Sequence, residues 1–154
     1  MKTSARGWPL SAVLLALCGA ALVAMGLYFI FIRPPLLPED LRYIGISSAQ
    51  IEAASPGLAG WLTHVFRVMG GYIVATGILT ATIAGTAFRV GQRGAGVGAT
   101  LAGLASIGWM VVVNFMIDSE YKWLLLAIAA LWAASLVLFW LEQRSRDIRP
   151  ISID

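Results

Sequence analysis

One cysteine, Cys18, and one histidine, His64, are all that the 154 residues offer of the usual metal-binding side chains. A lone thiol excludes an intrachain disulfide and a cysteine-based metal cluster within one chain. A lone imidazole excludes bis-histidine haem ligation and histidine-rich sites, so no metal site is expected. Charge is scarce as well: Asp, Glu, Lys and Arg make up 12% of the chain, where a soluble domain carries about a quarter. None of the long apolar runs holds an Asp, Glu or Lys in its depth. That leaves no candidate for a proton-coupled relay, for a retinal Schiff base, or for the embedded carboxylate that a small multidrug exporter needs. Gly91-Gln92-Arg93-Gly94-Ala95-Gly96 lacks the Lys-Ser/Thr ending and the preceding strand of a phosphate loop. No catalytic residue and no nucleic-acid partner are read from the sequence.

What remains is 59% hydrophobic, more apolar surface than a soluble core of this size needs, so the solvent it implies is lipid. The chain is one membrane domain, 1–154, with four spans at about 9–32, 61–88, 95–117 and 122–141. The first run, Leu10 to Ile32, is uncharged for longer than the roughly 7–15 residues of a signal-peptide core, and is read as an uncleaved span. Ala12, Ala16, Ala20 and Ala24 recur on it as a flat strip for another helix. Arg33-Pro34-Pro35 ends it, because proline cannot continue the hydrogen-bond ladder. Between 33 and 60 lies the sizeable polar segment. Pro38-Glu39-Asp40 opens a short turn, and Ser47 and Gln50 have capping-box spacing. Leu41, Ile44, Ile46, Ile51 and Leu58 make the segment too apolar for a free linker, so it is expected as a short helical lid.

The span from Trp61 to Phe88 is the central one. As a helix it would measure ~42 Å against a hydrocarbon core of ~30 Å, which leaves His64 and Arg67 near the headgroups. Gly70, Gly77, Ala81 and Gly85 form a row of small residues suited to close helix packing, and Gly94, Gly98 and Ala102 form another on the third span, with Ala99 and Gly103 as a second row beside it. Lys2, Arg6, Arg89, Arg93, Arg144, Arg146 and Arg149 fall on one side of the spans; Arg33, Arg42, Arg67 and Lys122 fall on the other, with most of the acids. The positive-inside rule then puts both termini, including the tail 142–154, in the cytoplasm and the lid outside. The fold class expected is an all-α membrane protein, an antiparallel four-transmembrane-helix bundle with a short extracytoplasmic helical lid between its first two spans.

The polar residues that converge are at the outer mouth. His64 and Arg67 share a face of the second span, Asn114 and Asp118 a face of the third. The plainer expectation is that Arg67 pairs with Asp118 or Glu39, or reaches lipid phosphates, and fixes helix ends. The sharper one is a lidded outer-leaflet pocket formed by His64, Arg67, Asn114, Asp118 and Tyr28, holding an anionic or quinone-like headgroup. Asn114 should face the bundle and bond a backbone carbonyl or a hydroxyl, and the span threonines should bond their own helix carbonyls.

The stretch Arg67-x-x-Gly70-Gly71-x-x-x-Ala75-x-Gly77, after a proline-containing outer segment in a four-span chain, resembles the DoxX-like and DUF4345-type small bacterial membrane proteins. The resemblance implies a four-helix inner-membrane bundle, in some members an accessory to quinol-linked redox complexes. Two functions are expected from the chain. One is a non-enzymatic accessory or scaffold subunit that packs through its Gly/Ala faces with other membrane subunits or a second copy. The other is a redox-associated binder of a quinone or membrane lipid at the lidded mouth, with no resident cofactor beyond that ligand.

Overall fold

The computed structural model describes residues 7–147, and every regular element among them is helical. In chain order they are α1 (Leu10–Phe31), α2 (Pro38–Ile44) and α3 (Ser48–Ala54), then α4 (Leu58–Phe88), α5 (Arg93–Met116) and α6 (Lys122–Asp147). By length and composition α1, α4, α5 and α6 can each cross a membrane, which marks the chain as a helix bundle of the multi-pass membrane type. Two limits differ from the hydropathy reading by three residues or more. α4 begins at Leu58 rather than 61, because the Pro56-Gly57 turn frees the Gly57 carbonyl to accept the Trp61 N–H at 3.0 Å. α6 continues past 141 to Asp147, since loss of hydropathy ends a span but does not end a helix whose polar residues find partners. The basic residues Lys2, Arg6 and Arg149 lie outside the described residues, as do positions 148–154.

α1 is the centre of the bundle, with α4 against one side and α6 against the other. The α1–α4 seam is closed backbone to backbone. A methyl group added at Gly26 would lie 2.7 Å from the Gly70 carbonyl oxygen, and one at Gly77 would lie 2.7 Å from that of Gly19. Only glycine fits so close an approach, and with no hydrophobic drive between helices in lipid, such van der Waals fit is what holds them. Gly70, Gly77 and Ala81 are therefore spent inside the fold. The alanine strip of α1 does not make this seam: Ala12 is buried in the core, whereas Ala20 and Ala24 are exposed. An alanine still carries a Cβ, which the closest approach does not admit.

α5 docks on α6 through Gly96, against the Phe139 ring, and Gly103, against the Trp132 indole. A π-helical turn at Leu104–Gly108 interrupts α5, and one turn before it the Ala99 carbonyl accepts the Trp132 Nε1–H at 3.1 Å. Trp132 is thus held in the core by an interhelical hydrogen bond as well as by packing. Beyond the π-helical turn Ala84–Phe88 that ends α4, α4 and α5 draw apart. They leave a groove of about 240 Å³ with Thr76, Thr80, Gly98 and Ala102 on its walls and Trp132 at its base. Gly85 meets the Trp8 ring instead.

The end that carries both tails is held by contacts between helices, beside an open cleft of about 1410 Å³ bordered by Gly85, Val90, Leu138, Glu142 and Arg146. Phe88 and Phe139 stack at 4.2 Å. The buried Ser11 hydroxyl donates to Glu142 at 2.7 Å and the buried Ser135 hydroxyl to the Ser11 carbonyl at 3.0 Å. Gln143 donates to the Gly91 carbonyl at 2.7 Å and Arg146 to that of Val90 at 3.1 Å.

Candidate functional site

The opposite end, called the mouth end below, is built around the turn after α1. The N–H groups of Ile32 and Arg33 both donate to the Tyr28 carbonyl, at 2.9 and 2.8 Å, and the two prolines that follow stop the helix. Arg33 then folds back on the bundle. Its guanidinium donates to Asp40 Oδ2 at 3.0 Å and to the Pro34 carbonyl at 2.9 Å, and lies 3.5 Å from the centroid of the Phe66 ring. Asp40 Oδ2 also accepts the Leu37 N–H at 2.8 Å, so one carboxylate both caps the start of α2 and neutralises Arg33.

Fixing α2 in this way turns its other first-turn acid inward. Glu39 is only 2% exposed. Its Oε1 accepts the Ser119 hydroxyl at 3.1 Å, and that same Ser119 oxygen accepts the Tyr121 N–H at 3.2 Å. Its Oε2 has no hydrogen-bond partner, the one such buried side-chain atom among the described residues. Buried polar atoms are otherwise satisfied as a rule, so an exception calls for an explanation.

Glu39 borders a cavity of about 440 Å³ between α1, α2, the end of α5 and the start of α6, within the ~300–1,000 Å³ typical of small-molecule pockets. The lower wall is apolar, with Ala21, Ala24, Met25, Leu125 and Ile128; Arg33, Asp40, Asn114, Ser119 and the rings of Tyr28 and Tyr121 surround the upper part. The two tyrosine rings stand 6.2 Å apart between centroids. An apolar body with one polar head is the shape of molecule such walls accept.

Of the residues expected at the mouth, Tyr28 and Asn114 line this cavity. Asn114 donates from Nδ2 to the Met110 carbonyl of its own helix at 2.9 Å. Thr76, Thr82, Thr86 and Thr100 bond their own helix carbonyls in the same i−4 pattern. Asp118 stands just outside, exposed, with φ of 52°. Its carboxylate pairs with Lys122 and its carbonyl accepts from Arg42 at 2.9 Å. The hydrogen bond from Lys122, then the charge of that ammonium, hold the Asp118 carboxyl below the ordinary carboxylate value.

His64 and Arg67 are elsewhere, on an exposed face of α4, and no hydrogen bond or ion pair joins either to another described residue. The expected pairing of Arg67 with Asp118 or Glu39 is replaced by Lys122 with Asp118 and Ser119 with Glu39. The reason is the order of helices. α1 lies against α4, so the mouth ends of α4 and α5 are not neighbours. Arg33, Glu39, Asp40 and Ser119 take the places given to His64 and Arg67. An arginine at the end of a span, followed by two adjacent acids of which a cap needs only one, is the signal that points to them.

Comparison with family models, with curated proteins and with solved structures returns no match.

Proposed function

We propose that the chain is an antiparallel four-helix bundle of a bacterial inner membrane, both termini cytoplasmic, whose 33–57 segment is an extracytoplasmic lid. In this reading it is a non-enzymatic protein that holds a lipophilic small molecule with a polar head, such as a membrane lipid or a fragment of one, in the mouth-end cavity. The observation that carries it is the cavity itself: apolar below, polar above, closed on one side by α2, and lined in part by Glu39, whose Oε2 is buried without a partner. Exposed Tyr43, Ile44 and Ile46 on and beside α2 give the lid an apolar outer edge suited to a membrane interface.

Purification in mild detergent followed by mass spectrometry of extracted small molecules tests this. The wild type should retain a stoichiometric lipophilic compound. Ala24→Phe, which fills the cavity from the α1 wall, should lose it, and Arg67→Ala should keep it. Retention by the filled variant, or none by the wild type, removes the reading. For topology, protease added to intact spheroplasts should cut between 36 and 57 and spare the tail.

A second reading, a scaffold or accessory subunit that packs with a second copy or a larger membrane complex, is favoured by the groove between α4 and α5. Its Gly98 and Ala102 stand open, unlike the glycines of the α1–α4 seam, and small residues at an open face admit another helix. The DoxX-like resemblance of 67–77 accords with this accessory role. A discrete larger assembly in detergent, broken by Gly98→Leu, would place the function there.

A further inference from the structure

Resting on the reading of the mouth-end cavity as a ligand site, we infer that its ligand is a protonated amine on an apolar body, and that Glu39 selects it. Three observations converge on this. The first is stoichiometry of charge. The cavity walls carry Arg33, Asp40 and Glu39, and Arg33 is bonded to Asp40 at 3.0 Å, which leaves Glu39 as the uncompensated group. The nearest further cations do not serve it: Lys122 pairs with Asp118, and Arg42 donates to the Asp118 carbonyl. A buried carboxylate without a counter-ion is expensive, and a cation brought by the ligand offsets that cost.

The second is hydrogen bonding. Ser119 supplies one donor to Oε1, and Oε2 has none although it is buried. An ammonium group brings both the charge and the missing N–H. A hydroxyl would supply the donor alone, and an anionic headgroup would add a second negative charge beside the first. The third is the aromatic wall. Tyr28, Phe29 and Tyr121 line the same cavity, and a carboxylate among aromatic rings is the setting in which alkylammonium groups are held, because ring faces attract cations. The amine reading therefore reverses the polarity of the anionic headgroup that the sequence suggested for His64 and Arg67.

The test uses the full chain in phosphatidylcholine nanodiscs and three probes of equal length: dodecylamine, 1-dodecanol and dodecanoate. Binding is read by titration calorimetry against empty nanodiscs. The wild type should bind the amine at least about tenfold more tightly than the alcohol, the scale of one close buried charge pair, and the carboxylate most weakly. Glu39→Gln, checked by its melting transition, should bring the amine down to the affinity of the alcohol. Equal binding of amine and alcohol by the wild type, or an amine preference that survives Glu39→Gln, overturns the inference. Ala24→Phe separates the two layers of argument. If the alcohol binds and Ala24→Phe abolishes it while no amine preference exists, the cavity stands and the amine falls. If no probe binds, both fall. Competition from phosphatidylethanolamine would give a lipid headgroup as the source of the ammonium, and its absence a free amine; the chemistry at Glu39 is the same in either case.

Discussion

The two ends of the bundle are made from the same helices and treat polar groups in opposite ways. At the tail end Ser11, Ser135 and Gln143 are buried and each has a partner on another element or helix, and two phenylalanine rings stack between α4 and α6. At the mouth end a carboxylate is buried as deeply, with one oxygen unsatisfied, beside empty volume. A chain selected only to fold has no use for the second arrangement, whereas sites of function are where local rules are broken at a cost to stability. The tail end has an open cleft too, of about 1410 Å³, but its buried polar groups are satisfied; the mouth end alone leaves a buried side-chain atom without a partner among the described residues.

The sharpest way to break that contrast is to cut the same side chain at two levels of α6. Leu136 belongs to the central core, and Leu125 is equally buried but borders the cavity. Leu136→Ala should cost about 2–3 kcal/mol, and Leu125→Ala about half of that, because a wall already facing a void has fewer contacts to lose. Melting of both variants in one detergent measures the pair. Equal losses would mean that the mouth end is packed as densely as the core.

The carboxylates give the next contrast. Glu142→Ala leaves the buried Ser11 hydroxyl without its acceptor and should cost about 1–3 kcal/mol. Glu39→Gln, at a site more deeply buried, should cost nothing or stabilise, since it removes an unsatisfied charge and keeps an acceptor for Ser119. Denaturation of the two variants side by side decides it: a loss at Glu39 matching that at Glu142 would make Glu39 a structural residue.

The bundle was easier to read in the sequence than the site. Runs as long as Leu10–Phe31 have one economical solution in lipid, and the spacing of the glycines at 70 and 77 is visible without knowing what they meet. What spacing cannot give is which helix the small row meets. That order depends on the fit of Gly19 and Gly26 against α4, and their partners lie about fifty residues away. Once α1 is known to occupy that side, His64 and Arg67 lose their neighbours on α5. Glu39 was hidden for a different reason: an acid after proline in a first turn normally faces water and favours the helix dipole. Only the use of Asp40 as cap and counter-ion shows that Glu39 is turned the other way. On the third span the spacing offers two rows, Gly94/Gly98/Ala102 and Ala99/Gly103, and does not choose between them. Gly103 faces α6, as does Gly96, while Gly98 and Ala102 look out.

The smallest effect tests whether charge at the mouth end is organised or incidental. Asp118 is exposed, so its pair with Lys122 is screened and contributes little, yet it sits at the α5–α6 turn where Arg42 of α2 also attaches. Because Lys122 lowers the folded-state pKa of Asp118, the contribution is present above the ordinary carboxylate value of 3.8 and is lost as pH falls through the lowered value. Asp118→Asn retains a residue type that tolerates φ of 52° and removes only the charge. The wild type should therefore melt slightly above Asp118→Asn at neutral pH, and the two curves should converge below pH 3.8. A difference that persists unchanged into acid would assign the effect to the turn geometry rather than to the charge of Asp118.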